Sequence, residues 1–203
     1  MPEEILSQKQ KEIFPKLACF SEKFGLVGGT AIAFQLGHRQ SIDFDLTSND
    51  KIKTLDIRKK ISEIGEIEAI LVDDENEYSL VMEGIKFTFS HYPFPLDFSF
   101  DVDGIIKSPD LISLGAMKAY ALGRRAKWKD YVDLFFIFQK LGSIQPIVRK
   151  AQEIFGVEFN EKNFRVQLAY FEDIDYSEKV IFVAGFEIAD EKIKEKLKEL
   201  AFS

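Results

Sequence analysis

The chain has 203 residues, 46% of them hydrophobic and 30% charged, enough for one full core with an attached lobe. Lys and Arg total 27 against 34 Asp and Glu, a formal net charge of −7. That balance argues against coating nucleic acid through bulk charge and leaves room for a local basic groove. Cys19 is the only cysteine, so no internal disulfide forms and a reducing compartment fits. The charged start and the lack of an apolar run of roughly 18 residues point to a cytoplasmic protein with no membrane partner.

The first predicted element is an amphipathic helix over 3–24, carrying Ile5, Leu6, Ile13, Phe14, Leu17 and Phe20, with Pro15 kinking or splitting it. Leu26 and Val27 form a short strand that runs into the turn Gly28-Gly29. A helix then covers Thr30 to Leu36 and stops at Gly37. Ser41 to Leu46 alternates polar and apolar residues, the mark of a half-buried strand. A helix follows near Thr54 to Ile64, then strands at Ile67–Val72, Tyr78–Met82 and Ile85–Ser90, with a further one expected over Leu96–Asp101. Ser108 is read as an N-cap and Pro109 as a first helical position, and the remainder as mostly helix. Most of the 20 phenylalanines are assigned to the core rather than to base stacking. The fold class is therefore α+β: a mixed-sheet half over 1–105 and a helical C-terminal portion over 106–203.

The strongest chemical signal is Arg39-Gln-Ser41-Ile-Asp43-Phe-Asp45-Leu46. If the strand runs through it, Arg39, Ser41, Asp43 and Asp45 share one face, while Ile42, Phe44 and Leu46 enter the core. Carboxylates at i and i+2 lie about 7 Å apart along the backbone and converge readily on a hard divalent cation. A merely solvated strand face would also tolerate them, but Asp is a poor strand former. Upstream, a strand entering Gly28-Gly29 and then a helix at Thr30 is a phosphate-binding arrangement, because glycine admits close approach and the helix start offers free N–H groups. Gly29 stands 14 residues before Asp43, room for one short helix and a return strand, so turn and carboxylates fall side by side.

These strings, Gly28-Gly29-Thr30-Ala31 and His38-Arg39-Gln-Ser41-Ile-Asp43-Phe-Asp45-Leu46, resemble the AbiEii/AbiGii-type nucleotidyltransferase toxins of the DNA polymerase beta-like superfamily. Lys118, Arg124 and Lys129-Asp130-Tyr-Val-Asp133-Leu134 extend the likeness, which spans about 24–141. The resemblance implies a minimal nucleotidyltransferase sheet with flanking helices and a helical C-terminal portion completing the active-site cleft. It also implies transfer of a nucleotidyl group from an NTP, with Mg²⁺ or Mn²⁺ held by Asp43 and Asp45. Gly28, Gly29, Thr30, Arg39 and Ser41 would bind substrate, and Lys118 and Asp130 would join Asp43 and Asp45 in catalysis. An RNA acceptor, in particular tRNA, and an antitoxin protein are the implied partners. The alternative is a catalytically weakened fold serving as a nucleotide- or partner-binding module.

Two features of the helical half keep alternatives open. Lys118 sits in an apolar stripe with Leu111, Leu114, Leu122 and Arg125, so its ammonium requires an anion, a triphosphate for example, or must snorkel to the surface. Asp130 is either the family's later acidic residue or a structural partner of Arg124, Arg125 or Lys129. The superfamily usually carries a third carboxylate on a later strand, whereas Gly84-Ile-Lys-Phe-Thr88-Phe-Ser90-His91 offers Thr88 and Ser90. Asp97, Asp101, Asp103 or His91 would have to compensate; otherwise the acceptor loses its proton by a metal-assisted route. His38 and His91 lack a second histidine at ligand spacing, which argues against zinc.

Overall fold

The computed structural model describes residues 4–122 and 124–202, and the chain divides into two compact units, Met1–Asp110 and Leu111–Ser203. The boundary falls after the strand Ile106–Ser108, which pairs with Phe100–Val102 and so stays with the first unit.

Ser7 opens the first helix, α1 (Gln8–Ile13), with a capping box: its side chain accepts from Gln10 N–H and the Gln10 side chain accepts from Ser7 N–H. Pro15 then stands at the start of a tighter 3₁₀ segment, Phe14–Phe20. The single helix expected over 3–24 is thus split, because proline has no N–H to continue an α ladder. Ile5 and Leu6 lie outside the helix and are still buried.

β1 (Gly25–Val27), α2 (Gly28–Leu36), β2 (Phe44–Ser48) and α3 (Thr54–Ile64) follow, then the meander β3 (Ile67–Asp73), β4 (Glu77–Met82) and β5 (Ile85–His91). Gly37 ends α2 at φ +72°, a left-handed cap that glycine adopts without steric cost. The sheet order is β1-β2-β5-β4-β3; β2 pairs with β5 in parallel and every other neighbour is antiparallel. On one sheet face Phe44, Leu46, Phe87 and Phe89 are fully buried, and Phe14, Phe20 and Phe24 pack over them. These phenylalanines are core, as expected. β6 (Phe100–Val102) and β7 (Ile106–Ser108) form a separate hairpin.

Several sequence expectations are corrected. β2 starts at Phe44, so the alternation does not extend back to Arg39: Ile42 is 52% exposed, while Arg39 and Ser41 are buried. The segment before the strand is irregular, and the Ser41 N–H bonds to the carbonyl of Ile5. Of the expected strand at Leu96–Asp101 only Phe100 and Asp101 pair, in a strand that runs on to Val102; Leu96 is instead tied by its N–H to the Asn49 side chain. Ser108 ends β7 and does not cap a helix, its hydroxyl donating to the carbonyl of Pro109.

The second unit consists of α4 (Leu111–Leu122), α5 (Trp128–Leu141), α6 (Gln145–Phe155), α7 (Glu161–Leu168) and α8 (Asp190–Ala201). Gly115 brings α4 close to α6; a methyl group there would lie 2.5 Å from Ile147 Cδ1. Residues 169–189 are not helical, although aromatics from this segment cover buried rings: Phe182 and Phe186 pack on Phe136, and Phe171 and Tyr176 on Trp128.

Candidate active site

Around the start of α2 the first unit gathers most of the residues singled out by sequence. Gly28 has φ +70°, and a Cβ on it would lie 2.3 Å from Asp45 Oδ2. A Cβ on Gly29 would lie 2.5 Å from Arg39 Nη2 and 3.4 Å from Ser41 Oγ. Gly28 needs glycine for its φ, and a side chain at either position would have to displace the protein's own carboxylate or guanidinium. Thr30 donates its hydroxyl to the carbonyl of Asp43, and its oxygen lies 2.8 Å from Ser41 Oγ. Arg39 donates from Nη1 to the carbonyl of Gln40 at 2.9 Å. Gly28, Gly29, Thr30, Arg39, Ser41, Asp43 and Asp45 thus form one cluster joined by short contacts.

The cluster follows from two local causes. β1 delivers the chain directly into α2, so the helix begins beside the strand that Val27 pairs with, at Asp45. The N-terminus of a helix carries partial positive charge, which favours the Asp45 carboxylate against Gly28. Phe44 and Leu46 anchor β2 in the core, which turns Asp45 to the other face. Asp43 immediately precedes β2, and both acids are half-buried.

A hard divalent cation is compatible with this donor set. Two carboxylates separated by one residue, beside a helix start and a threonine-serine hydroxyl pair, offer only oxygen ligands; Mg²⁺ characteristically takes one or two carboxylates and completes its shell with water and phosphate. Among the described residues no group of three or more His, Cys, Asp or Glu side chains is placed to hold a metal ion.

On the neighbouring strand the residue opposite Asp45 is Thr88. Paired residues of a parallel ladder face the same side, so Thr88 stands where a third carboxylate would be sought. Asp101 instead accepts from Gly104 N–H in the β6–β7 turn, and Asp103 sits in the same turn with φ +53°. His91 follows Phe87 and Phe89 in the strand's alternation and therefore faces the core side, away from Thr88. That position removes it as a proton acceptor for this site.

Lys118 and Asp130 come together in the second unit. Lys118 is only 6% exposed, so it does not snorkel. It is ion-paired to Asp130 and lies 3.0 Å from Asp133 Oδ2. Arg125 forks onto Asp130, Nε to Oδ2 at 2.8 Å and Nη2 to Oδ1 at 3.3 Å. Burial pushes the Asp130 carboxyl up, but the charges of Lys118 and Arg125 outweigh it and hold the group below the usual carboxylate range. Arg124 stacks on Tyr120 and Lys129 pairs with Glu178, so of the three partners weighed for Asp130 the structure selects Arg125. Asp133, one helical turn after Asp130 in the same motif, is fully buried and completes the ion-paired group.

A Gly-Gly helix start packed against an Asp-x-Asp strand, on a small mixed sheet followed by helices, defines a nucleotidyltransferase fold. The chain belongs to the AbiEii family, described as the nucleotidyl transferase AbiEii toxin of type IV TA systems, whose match covers residues 17–180. The uncharacterized protein aq_aa25 of Aquifex aeolicus (strain VF5) is 29% identical over 209 residues, covering 96% of this chain and 97% of the relative. Among solved structures, the nucleotidyltransferase toxin MenT4 of Mycobacterium tuberculosis H37Rv superposes with a TM-score of 0.65 at 13% identity, over 95% of this chain and 80% of that one. JHP933 of Helicobacter pylori gives 0.58 at 18% identity, over 97% and 92%. At these identities the structural likeness is one of fold. Among the described residues no helix is long and apolar enough to cross a membrane.

Proposed function

We propose that this nucleotidyltransferase toxin moves a nucleotidyl group from an NTP to an RNA acceptor, tRNA in particular, in the cytoplasm. Family membership supplies the class of reaction and implies an antitoxin partner. The observation that carries the reading to these residues is the packing of Asp45 against Gly28 at the start of α2. It sets a carboxylate beside a helix N-terminus of the kind that receives phosphate.

In this reading Asp43 and Asp45 hold Mg²⁺, with Mn²⁺ a substitute. The ion, when bound, neutralises charge on the triphosphate and the departing pyrophosphate. The backbone at Gly28 and Gly29 and the hydroxyls of Thr30 and Ser41 orient the phosphates. Arg39, buried behind Gly29, adds positive charge to the turn and stiffens it. Lys118 and Asp130 are proposed as the family's later basic and acidic residues.

The test is incubation with each α-labelled NTP, total RNA and cell protein, with and without Mg²⁺. Label on RNA that depends on Mg²⁺ and disappears with Asp45→Asn supports the reading; label on protein alone, or none, opposes it. Thr88 opposite Asp45 favours a second reading, a nucleotide-binding module without transfer. Thermal stabilisation by NTP with no label on any macromolecule would select that one.

A further inference from the structure

Thr88 is not an isolated hydroxyl. Ser79 on β4 pairs with it across the ladder, and their side-chain oxygens are 3.3 Å apart. Ser79 in turn donates to Glu77 Oε1 at 2.8 Å. Ser79 is buried, whereas Thr88 and Glu77 are half-buried. Glu77 is itself held in place, its backbone N–H bonding to Asp74 Oδ1 at 2.7 Å. Three side chains from adjacent strands therefore form a continuous row that starts beside Asp45 and ends on a carboxylate.

The direction of the row follows from counting protons. Serine has one hydroxyl proton. Because Ser79 gives it to Glu77, Thr88 must be the donor in the Thr88–Ser79 contact. The lone pairs of Thr88 Oγ1 are then left to receive a hydrogen bond from a hydroxyl approaching the Asp45 side of the sheet. Neither Thr88 nor Ser79 is a base at neutral pH, but a chain of hydroxyls anchored on a carboxylate accepts a proton at one end and delivers it to the other.

We propose that Thr88, Ser79 and Glu77 form a proton relay that takes the place of a third carboxylate on β5 and deprotonates the acceptor hydroxyl. The inference rests on the nucleotidyl-transfer reading above. The acceptor oxygen forms a bond to the α-phosphorus, the bond from that phosphorus to the bridging oxygen breaks, and pyrophosphate leaves with that electron pair. The acceptor's proton passes to Thr88 Oγ1, the Thr88 proton to Ser79 Oγ and the Ser79 proton to Glu77. Glu77 ends as the neutral acid and returns its proton to solvent. Thr88 is the member that touches the reacting hydroxyl; Ser79 and Glu77 act through it. The relay replaces the metal-assisted route expected from sequence, because the carboxylate absent from β5 is present one strand further on.

The experiment uses the intact chain and near-isosteric variants, Glu77→Gln, Ser79→Ala and Thr88→Val, with Thr88→Ser as the conservative control. Transfer of α-labelled NTP to RNA is measured in mixtures of H₂O and D₂O, and NTP affinity by thermal stabilisation. The relay requires kcat to fall about a hundredfold in the first three variants with NTP affinity unchanged, the order of a lost general base. It also requires the wild-type rate to curve with deuterium fraction, that curvature to vanish in the three variants, and Thr88→Ser to restore both. Wild-type transfer with Glu77→Gln and Thr88→Val keeping the rate overturns the relay and leaves the transferase reading intact. A lower rate with the isotope curve unchanged makes the row structural and also overturns it. A wild type that binds NTP but transfers nothing overturns the transferase reading, and the relay with it.

Discussion

The Lys118 ammonium lies 3.0 Å from the Asp133 carboxylate, and both side chains are almost wholly out of solvent. With Asp130, also buried, and Arg125, whose side chain reaches it from the surface, they balance two positive against two negative charges. Removing one member leaves buried charge unmatched. Lys118→Met should therefore lower stability by about 3 kcal/mol, since breaking a buried pair costs roughly 3–5 kcal/mol. Chemical denaturation of the variant against wild type checks this, and a change below about 1 kcal/mol would contradict the packing described.

Asp130 predicts the acid side of the stability curve. Its folded carboxyl is held below the usual range, so the folded state binds a proton less readily than the unfolded chain. The stabilisation is then fully present above the unfolded value, about 3.9, and is lost as pH falls through the lower folded value. The melting temperature of Asp130→Asn should lie below wild type at neutral pH, and the gap should close as pH drops below about 4. A gap that widens in acid would reverse the sign of the assignment.

Gly28→Ala should fail for two reasons at once. The left-handed backbone costs a non-glycine residue about 1–2 kcal/mol. The new methyl group would also displace the Asp45 carboxylate, which lies 2.3 Å from its position. Transfer should be lost even where circular dichroism shows the fold retained. Gly37→Ala is the comparison: its φ is also positive but nothing lies within 4 Å of its Cβ, so it should lose stability and keep activity.

Asp43→Asn and Asp45→Asn should each abolish transfer while circular dichroism shows the fold retained, because each removes one of the two carboxylates proposed to hold the metal. His91→Ala should leave the pH–rate profile in place, because that side chain faces the core side of β5. A mutant of either aspartate with near-full transfer would remove the two-carboxylate site.

The site was legible in the sequence where it is local. Gly28, Gly29, Asp43 and Asp45 are joined by one helix and one return strand, so spacing alone set them side by side. The α3 limits and the β3–β5 meander were equally open to reading, because period-2 alternation and turn residues bound each element. Register was not. The resemblance offered Thr88 or Ser90 beside the aspartates, but nothing in the order of residues chose between them or says that Ser79 meets Thr88; those pairings depend on β5 inserting between β2 and β4. Glu77 lies outside the strand expected at Tyr78–Met82, so its place beside Ser79 was not legible either. Likewise the partners of Lys118 lie on the next helix, so the apolar stripe revealed a need for an anion without naming Asp133. Ile42 misled because the alternation ran past the true start of β2.

The parallel pairing of β2 with β5 also sets an order of assembly. β3, β4 and β5 are joined by short turns and close with little loss of chain entropy, whereas β2 must capture a strand from across the whole α3–β4 stretch. The contact that places Asp45 beside Thr88 should therefore form late and open early. A partly unfolded molecule would keep its meander and lose its chemistry. Amides of β4 should accordingly outlast those of β2 in hydrogen exchange, and activity should vanish in denaturant before the bulk of the sheet does.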